Sequence, residues 1–107
     1  MNKIEFGELR IGKTARKHLE EVCNSNWASS GPKVKQFESE WGKLFGYDHN
    51  FAVSSGTDAC LNMCLAVRAY LEDEDKWLGE GVHTILVPAL SFIATSNAVR
   101  AAGFKPK

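Results

Sequence analysis

From Thr14 to Asn24 the apolar positions Ala15, Leu19 and Val22 recur with charges between them, the spacing of one helical face, with His18 beside it. The next stretch, Asn24 to Lys33 (NSNWASSGPK), is dense in Asn, Ser, Gly and Pro and predicts a loop. A stronger stripe follows at Val34, Phe37, Trp41, Leu44 and Phe45, with Trp41 expected in the core. Gly46 then closes that helix, because glycine tolerates the left-handed backbone that ends a helical run.

Beyond Gly46 the period changes. Phe51-Ala52-Val53 is too short for a helix and runs straight into Ser54-Ser55-Gly56-Thr57, which predicts a buried strand ending in a turn. Cys60, Met63, Cys64, Val67, Tyr70 and Leu71 then mark a third helical face. Glu72 to Asp75, with Gly79 and Gly81, predicts a solvated connection, and Thr84 to Val87 a second buried strand closed by Pro88. Ser91 to Ala102 returns to helical spacing, Gly103 ends it, and Phe104 to Lys107 reads as the opening of another strand.

Helix, helix, then strand–helix–strand–helix and the start of a strand predicts an α/β fold with a mostly parallel sheet and flanking helices. Such a sheet needs more than two strands and cover on both faces. The chain stops where the third strand begins, so it reads as an incomplete domain.

Composition adds exclusions. Thirteen basic and thirteen acidic residues cancel without forming a basic stripe, which argues against nucleic acid or a charged membrane surface as a partner. No apolar run approaches bilayer length, and Met1 to Arg10 has no leader-like apolar segment, so a cytoplasmic location is expected. The three cysteines, Cys23, Cys60 and Cys64, form an odd set without framework spacing and read as reduced thiols. Cys60 and Cys64 share a helix, but His18, His49 and His83 are scattered, and no metal site is expected.

The chemistry is concentrated at Ser54-Ser55-Gly56-Thr57-Asp58, where a strand gives way to a helix. A helix start presents unpaired N–H groups and the positive end of the helix dipole, and both favour phosphate. Gly56 permits close approach and Thr57 adds a hydroxyl, although Ser, Thr and Asp are also ordinary helix caps. No Gly-Lys-Ser/Thr follows, so this is not the triphosphate loop. Phe92, after the strand Thr84–Val87, falls on the same sheet edge. It is either an aromatic wall for a flat phosphorylated ring or a core residue of the helix it opens.

The succession GPKVKQFESEWGKLFG, FAVSSGTDAC and ILVPALSFIATSNAVRAAGFKP resembles the start of the DegT/DnrJ-type sugar aminotransferases, from about Ile11 to the last residue and in family order. The resemblance implies the N-terminal part of a fold-type-I transferase domain that binds pyridoxal 5'-phosphate. Residues 1–32 would form an N-terminal helix and entrance loop, and 33–107 the start of the cofactor domain. Gly56 and Thr57 match the positions that hold the cofactor phosphate, and Phe92 matches the aromatic over the pyridine ring. Ser55 and Asp58 flank the phosphate turn. Trp27, Ser30 and Gly31 match a loop near the sugar-nucleotide entrance, and Thr95 and Asn97 match motif positions without an assigned role.

The implied partners are a keto-sugar nucleotide and an amino-acid donor, usually glutamate, in a homo-oligomer. The family's lysine that carries the cofactor, and its acidic partner of the pyridine nitrogen, fall beyond Lys107. Lys33, Lys35 and Lys105 do not match that lysine, so the chain alone is expected to be inactive. The long connection Glu72 to His83 is similar to that of the pyridoxamine-phosphate-dependent sugar 3-dehydratases, whereas Gly56-Thr57-Asp58-Ala59 follows the aminotransferase form. A non-catalytic α/β module that binds a phosphorylated ligand or assembles with a partner is the alternative from another class.

Overall fold

A computed structural model describes residue 7 and residues 9–107. Most of the Met1–Arg10 segment therefore lies outside the described residues. The chain divides into two compact units, 1–50 and 51–107.

The first unit holds α1 (Lys13–Ser25) and α2 (Pro32–Phe45). Pro32 sits at the start of α2, where its missing N–H costs nothing, and Gly46 ends the helix at φ 75°. The N–H groups of Gly46 and Tyr47 both donate to the Gly42 carbonyl, at 2.8 and 3.0 Å. Gly42 is the only buried position of this unit among the described residues. The expectation that Trp41 is a core residue fails, since it is 45% exposed. Its neighbours are the aromatics one turn away on its own helix, Phe37 at 5.7 Å and Phe45 at 4.5 Å between ring centroids. The stripe is helical, as its spacing predicts, but within its unit it packs along itself.

The second unit runs α3 (Gly56–Asp73), β1 (Thr84–Ile85), α4 (Ile93–Ala101) and β2 (Lys105–Pro106). β1 and β2 are parallel, with Thr84 opposite Lys105 and Ile85 opposite Pro106. Hydrogen bonds continue past both ends: Lys105 N–H donates to the His83 carbonyl at 2.8 Å, and Val87 N–H to the Lys107 carbonyl at 3.0 Å. Pro106 lies between Lys105 and Lys107, whose N–H groups make the ladder bonds, so its missing donor costs no pairing with β1.

Cys64, Val99, Ala102 and Phe104 form the buried cluster, with Leu61, Leu71, Trp77, Ile85 and Val87 packed against it. Alternation along β1 turns Ile85 and Val87 toward this cluster and leaves Leu86 79% exposed. The run Thr84–Val87 is therefore buried on one face, a correction to the expectation of burial on both. Phe51–Val53 is not a strand, and Phe51 is 88% exposed. A strand exists only through its ladder, and the sheet of the described residues consists of β1 and β2 alone.

The connection from α3 to β1 is better built than a solvated loop. Trp77 stacks on His83 at 5.0 Å and meets Phe104 edge-on at 5.2 Å, while the Arg68 guanidinium lies 4.8 Å over its ring. The Leu78 N–H donates to His83 Nε2 at 3.1 Å. Gly103, at φ 86°, lets this group close over the end of α4.

Candidate functional site

Ser55 caps α3: its hydroxyl oxygen accepts from the Asp58 N–H at 3.1 Å and its O–H donates to the Asp58 carboxylate at 3.0 Å. The Ser54 hydroxyl also donates to that carboxylate. These two hydroxyls, Ser54 first, hold the Asp58 carboxyl below its ordinary pKa, because both stabilise the charged form. The carbonyl of Ser55 accepts from Ala59 N–H at 3.0 Å, the first bond of the helix. The N–H groups of Gly56 and Thr57 precede that ladder and have no partner among the described residues.

Phe92 lies at the start of α4, is 74% exposed and makes no side-chain cap bond. It is thus not a core residue. It lines a cleft of about 400 Å³ together with Gly56, Thr57, Cys60, Ser91, Ala94 and Thr95. The cleft joins the starts of α3 and α4, and a volume in this range suits a small ligand. A methyl group added at Gly56 would meet no heavy atom within 4 Å. Its backbone is not in the left-handed region either, so folding alone gives no reason for glycine here.

The cleft therefore combines two unpartnered donors at a helix start, a hydroxyl, an unfilled glycine position and an exposed aromatic ring. This donor set fits the phosphate and flat ring of pyridoxal phosphate. Ser55 and Asp58 lie beside the cleft as the cap of α3 and do not line it.

Trp27 and Gly31 come together in the first unit. The Trp27 Nε1–H donates to the Ser30 carbonyl at 3.0 Å, and a methyl on Gly31 would stand 2.7 Å from Nε1. Both line a pocket of about 570 Å³ with Glu21, Val22, Lys33 and Val34, whereas Ser30, whose carbonyl takes the Trp27 bond, does not line it. Lys33 pairs with Glu21 and approaches His18 Nδ1 at 3.0 Å; Lys33, then His18, holds the Glu21 carboxyl below its usual range.

The sequence model of the DegT/DnrJ/EryC1/StrS aminotransferase family matches residues 9–107. The chain belongs to this family. It is 38% identical over 96 residues to the spore coat polysaccharide biosynthesis protein SpsC of Bacillus subtilis (strain 168), covering 90% of this chain and 22% of that protein. It is 33% identical over 105 residues to the dTDP-4-dehydro-2,3,6-trideoxy-D-glucose 4-aminotransferase of Saccharopolyspora spinosa, covering 96% of this chain and 25% of that enzyme. The chain thus spans about a quarter of the length of these relatives. No solved structure matches it.

Of the remaining cleft residues of this DegT/DnrJ-family chain, Thr95 matches a motif position without an assigned role, while Cys60, Ser91 and Ala94 were not legible as site residues in the sequence. A helical projection finds Cys60 one turn after Gly56, and Ser91 and Thr95 are likewise one turn apart. Among the described residues no group of three or more His, Cys, Asp or Glu side chains could hold a metal ion, and no helix is long and apolar enough to cross a membrane.

Proposed function

We propose that this chain forms the phosphate-anchoring and ring-facing part of a nucleotide-sugar aminotransferase that uses pyridoxal 5'-phosphate on a fold-type-I domain. The observation that carries the reading is the meeting of Gly56, Thr57 and Phe92 in one cleft. Within it, the N–H groups of Gly56 and Thr57 donate to phosphate oxygens at the positive end of α3, and the Thr57 hydroxyl adds a further donor. The Phe92 ring covers one face of the pyridine and excludes water from it. Ser54 and Ser55 donate to Asp58, so its negative charge is engaged by hydroxyls rather than turned on the phosphate.

Bound there, the cofactor supplies the electron sink for moving an amino group from an amino acid such as glutamate to a keto-sugar nucleotide. The pocket around Trp27 and Gly31, with Ser30 in its loop, is assigned to the sugar-nucleotide entrance. The activity belongs to a homo-oligomer whose cofactor-bearing lysine is none of Lys33, Lys35 or Lys105. Gly56-Thr57-Asp58-Ala59, in the aminotransferase form, favours transamination over dehydration.

The test is amide and aromatic NMR of the 107-residue chain with pyridoxine 5'-phosphate. This analogue lacks the aldehyde and does not couple to surface lysines. Shifts centred on the Gly56 and Thr57 amides, with ring shifts at Phe92, are the expected result; inorganic phosphate should move the amides alone. Shifts centred on residues 21–34, or none at millimolar ligand, would reject the assignment.

A further inference from the structure

We propose that Ser91 and Thr95 act together as positioning residues that hold the Phe92 ring over the cleft, a step that rests on the cofactor reading of that cleft. Phe92 occupies the cap position of α4, which Ser, Thr, Asp or Asn would fill better. It makes no cap bond and is mostly exposed, so tertiary packing does little to fix its ring. What brackets it is Thr95. The Thr95 N–H donates to the Phe92 carbonyl at 3.1 Å, and the Thr95 Oγ1 lies 2.7 Å from the Ser91 Oγ, an optimal distance between hydroxyls.

One residue therefore binds both the carbonyl of Phe92 and the side chain just before it. The backbone at Phe92 is extended, at φ −60° and ψ 146°. Side-chain rotamers follow the backbone dihedrals, so pinning these two angles restricts the directions open to the ring. Ser91 and Thr95 also line the cleft, which puts the clamp beside the ring it directs. The Thr95 N–H finds its partner in the Phe92 carbonyl rather than in a side-chain cap, which leaves the cap position to an aromatic that faces the cleft.

The test compares Thr95→Val, which keeps shape and loses the hydroxyl, with Thr95→Ser, which keeps it. In the full chain, Thr95→Val should weaken pyridoxine 5'-phosphate about fivefold, with inorganic phosphate unchanged, and Thr95→Ser should restore affinity. Added to Phe92→Ala, Thr95→Val should change nothing further. An equal loss in the Phe92→Ala background, or an equal loss of inorganic phosphate, would overturn the proposal by showing direct contact or general damage. Three-bond couplings of ligand-free Phe92 provide a second readout. One dominant χ1 rotamer is expected in the unaltered chain and in Thr95→Ser, and averaging in Thr95→Val. Averaging in the unaltered chain, or an unmoved rotamer in Thr95→Val, would also overturn it. Failure of pyridoxine 5'-phosphate to shift Gly56 and Thr57, with the rotamer result intact, would instead reject the cofactor reading.

Discussion

Gly56→Ala should move stability and ligand binding in opposite directions. The added methyl meets no heavy atom within 4 Å, so no clash opposes it. The backbone there is an ordinary helical start, and alanine removes freedom only from the unfolded chain, for a gain of about 0.4–1 kcal/mol. Binding faces the reverse. A phosphate oxygen must come to about 2.9 Å from the Gly56 nitrogen, and a contact stretched to roughly 3.5 Å is barely a hydrogen bond. Bonds to charged groups contribute about 1.5–3 kcal/mol, so losing one weakens phosphate at least about tenfold. Urea unfolding monitored by far-ultraviolet dichroism gives the first quantity, and NMR titration with pyridoxine 5'-phosphate the second. A destabilised variant would mean that packing demands this glycine. A stabilised variant with unchanged affinity would mean that phosphate binds elsewhere.

Other glycines should respond differently. Gly42→Ala would set its methyl 2.6 Å from the Tyr47 carbonyl and against Asn50, and Gly103→Ala combines φ 86° with the Arg68 guanidinium at 3.0 Å. Each should cost about 1–3 kcal/mol in urea unfolding, the first in the 1–50 unit and the second in the 51–107 unit. Thiol alkylation followed by mass spectrometry should label exposed Cys23 first and Cys64 last, because burial, then the neighbouring Cys60, pushes the Cys64 thiol up. Pyridoxine 5'-phosphate should protect Cys60 and leave Cys23 unaffected. Since Asp58 titrates below its unfolded value, its stabilisation of the α3 start is present above the ordinary aspartate range. It should be lost as pH falls through the lowered native value. Ser54→Ala should raise the Asp58 titration followed by carboxyl NMR; an unmoved midpoint would show that the hydroxyl is not the cause.

Helices were legible because their signals are local. The stripe from Val34 to Phe45, Pro32 at its start and Gly46 at its end mark α2 within the chain itself. The cap at Ser55 was legible for the same reason, as a serine followed three residues later by an acid. Strands and burial were less so. Phe51-Ala52-Val53 shows residues suited to a pleated surface, but ladder formation depends on a partner that no local pattern contains. Trp41 fails similarly: its spacing predicts the helix face without saying what lies against that face. The connection between α3 and β1 looked solvated because its acids and glycines are conspicuous, whereas Trp77 works through His83 at the connection's far end and through Arg68 and Phe104, both outside it. In the cleft, the Gly56 turn and Phe92 were visible as motif positions, while the Ser91–Thr95 hydroxyl pair emerges only once α4 is folded.

The parallel pairing of β1 and β2 also has a kinetic side. A tight turn cannot join parallel strands, so the ladder between Thr84 and Lys105 waits until α4 has carried the chain back along the sheet. Val99 and Ala102, which seal α4 onto the buried cluster, then lie on the route to strand registration as well as in its result. Docking of α4 and closure of the ladder become one cooperative event with no short-range nucleus, and the second unit should collapse late, after its helices have begun to flicker into place.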